Sequence, residues 1–93
     1  MALLNADEIK HSLAELNGWQ QIDNSIIKEY EFGNFTNAVS FVVGVGIEAE
    51  KMDHHPDIFL HSWNKVKITL STHSKGGITE LDIKLAGIIE KLF

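Results

Sequence analysis

The stretch DIFLHSWNKVKITLST, residues 57–72, decides the fold. In its second half Val66, Ile68, Leu70 and Thr72 alternate with Lys65, Lys67, Thr69 and Ser71, the period of two that marks a strand with one buried face and one wet face. DIFLHSW is a second strand, and Asn64-Lys65 is the hinge that folds the two into an antiparallel hairpin. A lone hairpin is marginal in water, so its apolar face needs cover from the flanking sequence.

Upstream, Phe35, Ala38, Val39, Val42, Val45 and Ala49 recur at helical spacing and predict a helix from Asn34 to about Lys51. Phe41, Val43 and Ile47 fall off that stripe, so the helix is apolar around most of its circumference. A helix of this kind is normally buried on more than one side, which in a small domain points to cover from another subunit, the alternative being a helix sunk deep in its own core. Further upstream, WQQI and SIIKEYEF are two strands joined by Asp23-Asn24, with Ile26, Lys28, Tyr30 and Phe32 on one face and Ile27, Glu29 and Glu31 on the other. The first helix starts near Asn5, with Glu8 completing a capping box. It presents Ile9, Leu13 and Leu16 and stops at Asn17-Gly18.

Downstream, HSKGG is a flexible corner. Thr79 caps a last helix with Asp82 in the reciprocal position and Ile78 placed to staple onto Ile83. Ile83, Ala86, Ile89 and Leu92 or Phe93 form its expected buried face. The order α-β-β-α-β-β-α predicts an α+β fold, a four-stranded antiparallel sheet with helices packed on one face. No linker or repeat interrupts residues 1–93, which are expected to form a single domain.

Composition narrows the function. The 93 residues carry eight positive side chains, all lysine, against thirteen acids, for a net charge of −5. An acidic chain with no arginine lacks the bidentate fork for phosphates and guanine edges, which argues against direct nucleic-acid binding. Cysteine is absent, which excludes disulfides, thiolate metal sites and cysteine nucleophiles. The start MALLNADEIK has neither a basic segment nor a long apolar run, so the expected location is the cytoplasm, with no membrane association.

Histidine is the residue that exchanges protons near neutrality, and there are five. His54 and His55 stand at the junction between the second helix and the third strand, and His73 follows the fourth strand. If those strands pair, positions 54–56 and 71–73 meet at one end of the sheet. His61 and His11 lie away from that end and are expected to be surface or packing residues. Adjacent residues on an extended chain point to opposite sides, so His54 and His55 have different jobs.

Taken singly, each of these residues has a plain structural role. His54-His55-Pro56 fits a helix C-terminus, where imidazolium favours the dipole and proline blocks continuation. Asp82 fits a cap, Glu50 a solvated helix face and Trp63 strand packing. A three-histidine zinc site is disfavoured because an adjacent pair diverges where ligands must converge. No phosphate loop, nucleotide fingerprint or serine-nucleophile elbow is present.

Together the residues make a more specific pattern. Glu50, then His54-His55-Pro56, then Trp63 after six residues, His73 after nine and Asp82 after eight resembles the signature of the pterin-4a-carbinolamine dehydratase family. The resemblance extends to Gly18-Trp19, Asn64-Lys65-Val66, Leu70-Ser71-Thr72-His73 and Gly76-Gly77-Ile78-Thr79, nearly the whole chain. Leu81 departs from the charged or polar residue common at its place, which concerns the helix surface. Animal members of the family also serve as dimerisation cofactors of a homeodomain transcription factor.

The resemblance implies a hydro-lyase that dehydrates 4a-hydroxytetrahydrobiopterin to quinonoid dihydrobiopterin, which a separate reductase recycles. It implies His54 and His73 as the acid/base pair, His55 as the residue that binds and orients, and Asp53 with the backbone of Ser71 and Thr72 along the polar edge of the pterin. Glu50, Pro56, Trp63 and Asp82 would support them, the two acids by holding histidine tautomers. No metal and no resident cofactor is implied, the pterin being substrate. A homodimer or homotetramer through sheet edges and the second helix is implied, together with a functional link to an aromatic amino acid hydroxylase. The alternative is a protein-interaction module that stabilises a partner's oligomer through the apolar second helix.

Overall fold

The computed structural model describes residues 2–93, and the chain order is α1 (Ala6–Ala14), β1 (Gln20–Ile22), β2 (Ser25–Glu31), α2 (Phe35–Lys51), β3 (Asp57–His61), β4 (Lys65–Leu70), a 3-10 turn (His73–Lys75) and α3 (Glu80–Leu92). The four strands form one antiparallel sheet in the order β1-β2-β4-β3, so β2 and β4 are central and β1 and β3 are edges. This is the α+β architecture with the element order expected from the sequence.

The alternation on β4 sets the two faces. Val66, Ile68 and Leu70 are wholly buried, as are Ile26 and Tyr30 on β2, and all five contribute to one hydrophobic core with residues of α2 and α3. Lys67, Glu29 and Phe59 stand on the open side. The hinge of the β3–β4 hairpin is Ser62, Trp63 and Asn64, one step earlier than expected, because His61 pairs with Lys65. Asn64 then clamps the hairpin to the end of β2: Phe32 N–H donates to Asn64 O at 2.8 Å, and Asn64 Nδ2 donates to Phe32 O at 3.1 Å.

Asn5 and Glu8 form the expected capping box, but α1 ends at Ala14 rather than at Asn17-Gly18. Tight bonds from Glu15 N–H to Ser12 O and from Leu16 N–H to Leu13 O unwind the last turn before Gly18, whose φ of 82° reverses the chain. The buried arc of α2 also differs from expectation. It comprises Ala38, Phe41, Val45 and Ala49, while Phe35 and Val39 are exposed. Phe41 turns inward because it packs against Tyr30 and Phe32, with ring centroids 4.8 and 5.0 Å apart. The sequence could not set this phase, since on one side of the arc the apolar surface runs on through Val42 to Phe35 and Val39 without a polar boundary. Phe35, Val39, Val43 and Ile47 form a second apolar stripe that this chain does not cover.

On α3 the buried set is Asp82, Leu85, Ala86 and Ile89. One of Leu92 and Phe93 was expected inside, but both are exposed because the chain here runs past the core, although the Phe93 ring still lies 4.9 Å from Tyr30. Near this end Glu90 Oε2 accepts from Lys28 Nζ at 2.8 Å, from Trp19 Nε1 at 3.3 Å and from the Tyr30 hydroxyl. Burial, reinforced by the Glu90 carboxylate, pushes the Tyr30 phenol far above its usual range. Burial would raise Glu90 as well, but the hydrogen bonds from Lys28, Tyr30 and Trp19 outweigh it and hold the carboxyl below its ordinary value. This cluster pins α3 to β2 and leaves the other end of α3 free for the histidine corner. Among the described residues no helix is long and apolar enough to cross a membrane.

Candidate active site

The corner begins where α2 stops. Asp53 adopts a left-handed backbone with φ 51°, Asp53 N–H donates to Glu50 O at 3.0 Å, and His54 N–H donates to Ala49 O at 3.1 Å. This is the Schellman ending of a helix, with aspartate in the place glycine usually takes. The turn changes the chain's direction within two residues, and Pro56 starts the run into β3. His54 is buried beneath the turn and His55 is left exposed.

His54 meets α3 there. Its Nε2 lies 2.5 Å from Asp82 Oδ1, and the Asp82 side chain is wholly buried. The other oxygen, Oδ2, accepts from Thr79 N–H at 2.9 Å, closing the cap of α3, and from Thr72 Oγ1 at 2.8 Å. Thr79 Oγ1 lies 2.7 Å from Thr72 Oγ1 and accepts from Leu81 N–H at 3.2 Å. The hydroxyl protons therefore run one way, from Thr79 to Thr72 to Asp82, a chain in which each bond polarises the next. An ionised carboxylate only accepts, so Nε2 carries the hydrogen and Nδ1 is the nitrogen left to His54 for proton transfer.

One carboxylate thus joins the end of α2, the end of β4 and the start of α3. Thr72 also bridges to Gly77, with its N–H on Gly77 O at 2.7 Å, and between them His73–Lys75 form a 3-10 turn closed by Gly76 at φ 71°. The corner expected to be flexible is therefore a hydrogen-bonded turn, and it presents His73 to solvent. His55 Nε2 lies 3.0 Å from Glu50 Oε1, both exposed. Each acid of the motif lies against a histidine, Asp82 against His54 and Glu50 against His55. Ser71 sits on the same strand end, and its hydroxyl proton is committed to Asn24 O at 2.8 Å.

The structure separates one motif residue from the rest. Trp63 stands on the β3–β4 hairpin, at the opposite end of β3 from His54 and His55. The four steps of β3 alone span about 13 Å. His61 has a partner that sequence proximity did not suggest, Glu29 Oε1 across the sheet at 2.5 Å, and His11 lies 3.8 Å from Glu15. Thr72 and Thr79 belong to the His54 network through their side chains. Thr79 was legible as a cap, but nothing in the spacing showed that its aspartate also reaches a histidine. Among the described residues no three or more metal-binding side chains gather into a potential site.

A cleft of about 440 Å³ between α1 and α3 is lined by Leu4, Glu8, His11, Ser12, Glu80, Ile83 and Lys84. It holds none of His54, His55 and His73. At the histidine corner His55 and His73 are exposed and His54 is buried.

The fold and the corner together define a small α+β domain with a carboxylate-supported histidine cluster at the end of its sheet. The sequence profile described as Pterin 4 alpha carbinolamine dehydratase matches residues 2–92, and the chain belongs to that family. A protein of Sulfolobus acidocaldarius with the provisional name pterin-4-alpha-carbinolamine dehydratase is 44% identical over 89 residues, covering 96% of this chain and 97% of its own. A Brucella ovis protein with the same provisional name is 42% identical over 85 residues, covering 89% and 87%. The crystal structure of a transcriptional coactivator/pterin dehydratase from Brucella melitensis superposes with a TM-score of 0.93 at 39% identity, covering 98% of both chains. A pterin dehydratase-like protein identified as a RuBisCO assembly factor of the alpha-carboxysome shares the fold, with a TM-score of 0.66 at 21% identity over 80% of this chain and 84% of its own.

Proposed function

We propose that this chain dehydrates 4a-hydroxytetrahydrobiopterin to quinonoid dihydrobiopterin and water. The observation that carries the proposal is the Asp82 carboxylate shared by His54 and Thr72, which gathers the ends of α2 and β4 into one corner. The reaction removes the C4a hydroxyl with a proton and takes the hydrogen from N5. It needs one donor and one acceptor and no net oxidation. His54, fixed by Asp82 with Nδ1 free for transfer, and His73, on the turn after β4, are the acid/base pair. His55, steered by Glu50, binds and orients the ring, and Asp53 with the backbone of Ser71 and Thr72 lines its polar edge. Pro56 and Trp63 support the site.

The chain works without metal or resident cofactor, in the cytoplasm, as a homodimer or homotetramer joined by sheet edges and α2. The uncovered stripe of Phe35, Val39, Val43 and Ile47 supports the helix contact. Its product suits recycling for an aromatic amino acid hydroxylase. The same stripe favours a second reading, a module that stabilises a partner's oligomer, and the two roles are compatible.

Turnover of enzymatically generated carbinolamine tests the proposal. His54→Ala and His73→Ala should each lower kcat by about 10²- to 10⁴-fold with the oligomer unchanged. Wild-type rates in both folded variants would overturn the site. An inactive wild-type chain that still self-associates would leave the interaction module.

A further inference from the structure

The three histidines of the corner are not held alike. His54 rests on the buried Asp82 carboxylate at 2.5 Å and His55 on the exposed Glu50 at 3.0 Å. His73 is exposed on the 3-10 turn, so the place of its ring follows the backbone of that turn. The turn gathers around one carbonyl. Lys75 N–H and Gly76 N–H both donate to Thr72 O at 3.0 Å, and Gly77 N–H reaches the same oxygen at 3.4 Å. Thr72 N–H returns a bond to Gly77 O at 2.7 Å. Whatever holds Gly77 therefore holds the base of the His73 turn.

That hold comes from the segment before α1. Asn5 caps α1 and Leu4 packs against the core, which together fix how the segment enters the helix. Leu4 N–H donates to Ile78 O at 2.9 Å, a backbone bond one residue past the Thr72–Gly77 bridge. Leu3 lies on Gly77: a Cβ at that glycine would stand 3.0 Å from Leu3 Cδ2 and, its chain neighbours aside, meet nothing else within 4 Å. Gly77, Ile78 and Thr79 are buried although Leu3 is itself half exposed, so Leu3 is a cover over this link and not a member of the core. One end of the covered link leads to His73. The other leads through Thr79 to Asp82, the support of His54.

We propose that residues 3–4 form a strap that fixes the His73 turn relative to His54, with Leu3 as a positioning residue that acts through Gly77. That His73 transfers a proton rests on the dehydratase reading, whereas the hold of the strap on the turn does not. Proton transfer depends steeply on the distance and alignment of the transferring group. His55 and Asp53 lie on the α2 side of the corner, away from the strap, so loosening the turn should act on kcat more than on KM.

Hydrogen exchange followed by NMR tests the hold directly. Leu3→Ala should speed exchange of the Thr72, Lys75 and Gly76 amides about tenfold while the amides of β2 and β4 keep their wild-type rates. Gly77→Ala, whose methyl group displaces the Leu3 side chain, should do the same. Leu3→Met should restore wild-type exchange, since the flexible thioether can cover the same glycine. Leu3→Ala combined with Gly77→Ala should be no faster than the faster single variant. Additive effects would show the new methyl acting on the turn directly and would remove Leu3 as the contact that matters. Wild-type exchange in Leu3→Ala overturns the strap whatever the activity of the protein, and so does a rise spread evenly over the sheet. In turnover of the carbinolamine, Leu3→Ala should lower kcat about tenfold with KM changed by less than about twofold, and Leu3→Met should recover the rate. Faster exchange of the turn with wild-type kcat overturns the positioning of His73. If wild type itself fails to dehydrate the carbinolamine, the assigned function falls while hydrogen exchange still decides the strap.

Discussion

Replacing Asp82 by asparagine changes the charge at the buried junction while keeping its shape. The amide oxygen can still accept from Thr79 N–H and Thr72 Oγ1, which lie 2.9 and 2.8 Å from Oδ2. Its NH₂ then faces His54 Nε2, where Oδ1 now stands at 2.5 Å, and two donors cannot share that contact. Relief comes when the imidazole proton moves to Nδ1, the nitrogen needed for transfer. One charge-assisted hydrogen bond becomes a neutral one, so unfolding stability should fall by about 1–3 kcal/mol. The wrong tautomer should lower kcat by about 10²- to 10⁴-fold. Asp82→Ala strips all three contacts and should cost more in stability, about 3–4.5 kcal/mol at roughly 1–1.5 kcal/mol for each bond. The assays are thermal unfolding, carbinolamine turnover, and ¹⁵N NMR of the histidine ring, whose shifts distinguish the Nε2–H from the Nδ1–H tautomer. A folded Asp82→Asn variant with the wild-type rate and His54 still Nε2–H would refute the reasoning. Loss of activity with the tautomer unchanged would reduce Asp82 to a structural cap.

Asp53→Gly should raise stability by about 1 kcal/mol, because glycine takes the left-handed position without a steric cost. It should also raise KM through loss of the carboxylate, and unfolding and kinetics on the same sample measure the two effects. Phe41→Ala should cost about 3–5 kcal/mol as a core cavity. Phe35→Ala should change monomer stability by less than about 0.5 kcal/mol while weakening self-association in sedimentation. Glu90 has a folded pKa below its unfolded value, so its contribution is present above about pH 4.5 and is lost as pH falls through the lower folded value. Tyr30 has the opposite sign, contributing fully below pH 10.0 and less as pH rises beyond it. Denaturation across pH should show an acid limb that Glu90→Gln flattens and an alkaline limb that Tyr30→Phe flattens.

The strands and caps were legible because each rests on local chemistry. Lys65 to Thr72 alternates, Asn5 pairs with Glu8, and Thr79 pairs with Asp82, all within eight residues. What was not legible depended on phase and distance. On α2 the apolar surface runs on past one edge of the buried arc through Val42 to Phe35, so Phe41 and Phe35 exchanged places between expectation and structure. Leu85 faces the core where Leu92 was expected, because the length of the sheet, invisible in the helix's own spacing, decides where α3 leaves it. At the site, the types and spacing of Glu50, His54, His55, His73 and Asp82 were plain. The pairing of each acid with its histidine was not, since Asp82 reaches His54 only through the contact of α3 with the end of α2.

The adjacent histidines diverge for a reason that reaches beyond their own positions. Asp53 takes a left-handed turn, and the first residue after it must give its N–H to Ala49 O to close the helix, which draws His54 under the turn toward Asp82. The next residue has no such tie, and only the exposed Glu50 carboxylate steers it. One histidine is therefore held by a buried carboxylate and nearly dry, and the other is held only by an exposed one and wet. A fixed imidazole with one nitrogen committed suits directional proton transfer, and a loosely held one suits adjusting to a ligand. Exchanging these roles would require moving the left-handed residue, not the histidines. Inserting a single residue between Asp53 and His54 should therefore abolish turnover even with both imidazoles present, because the Ala49 carbonyl would capture the inserted residue and release His54 from Asp82.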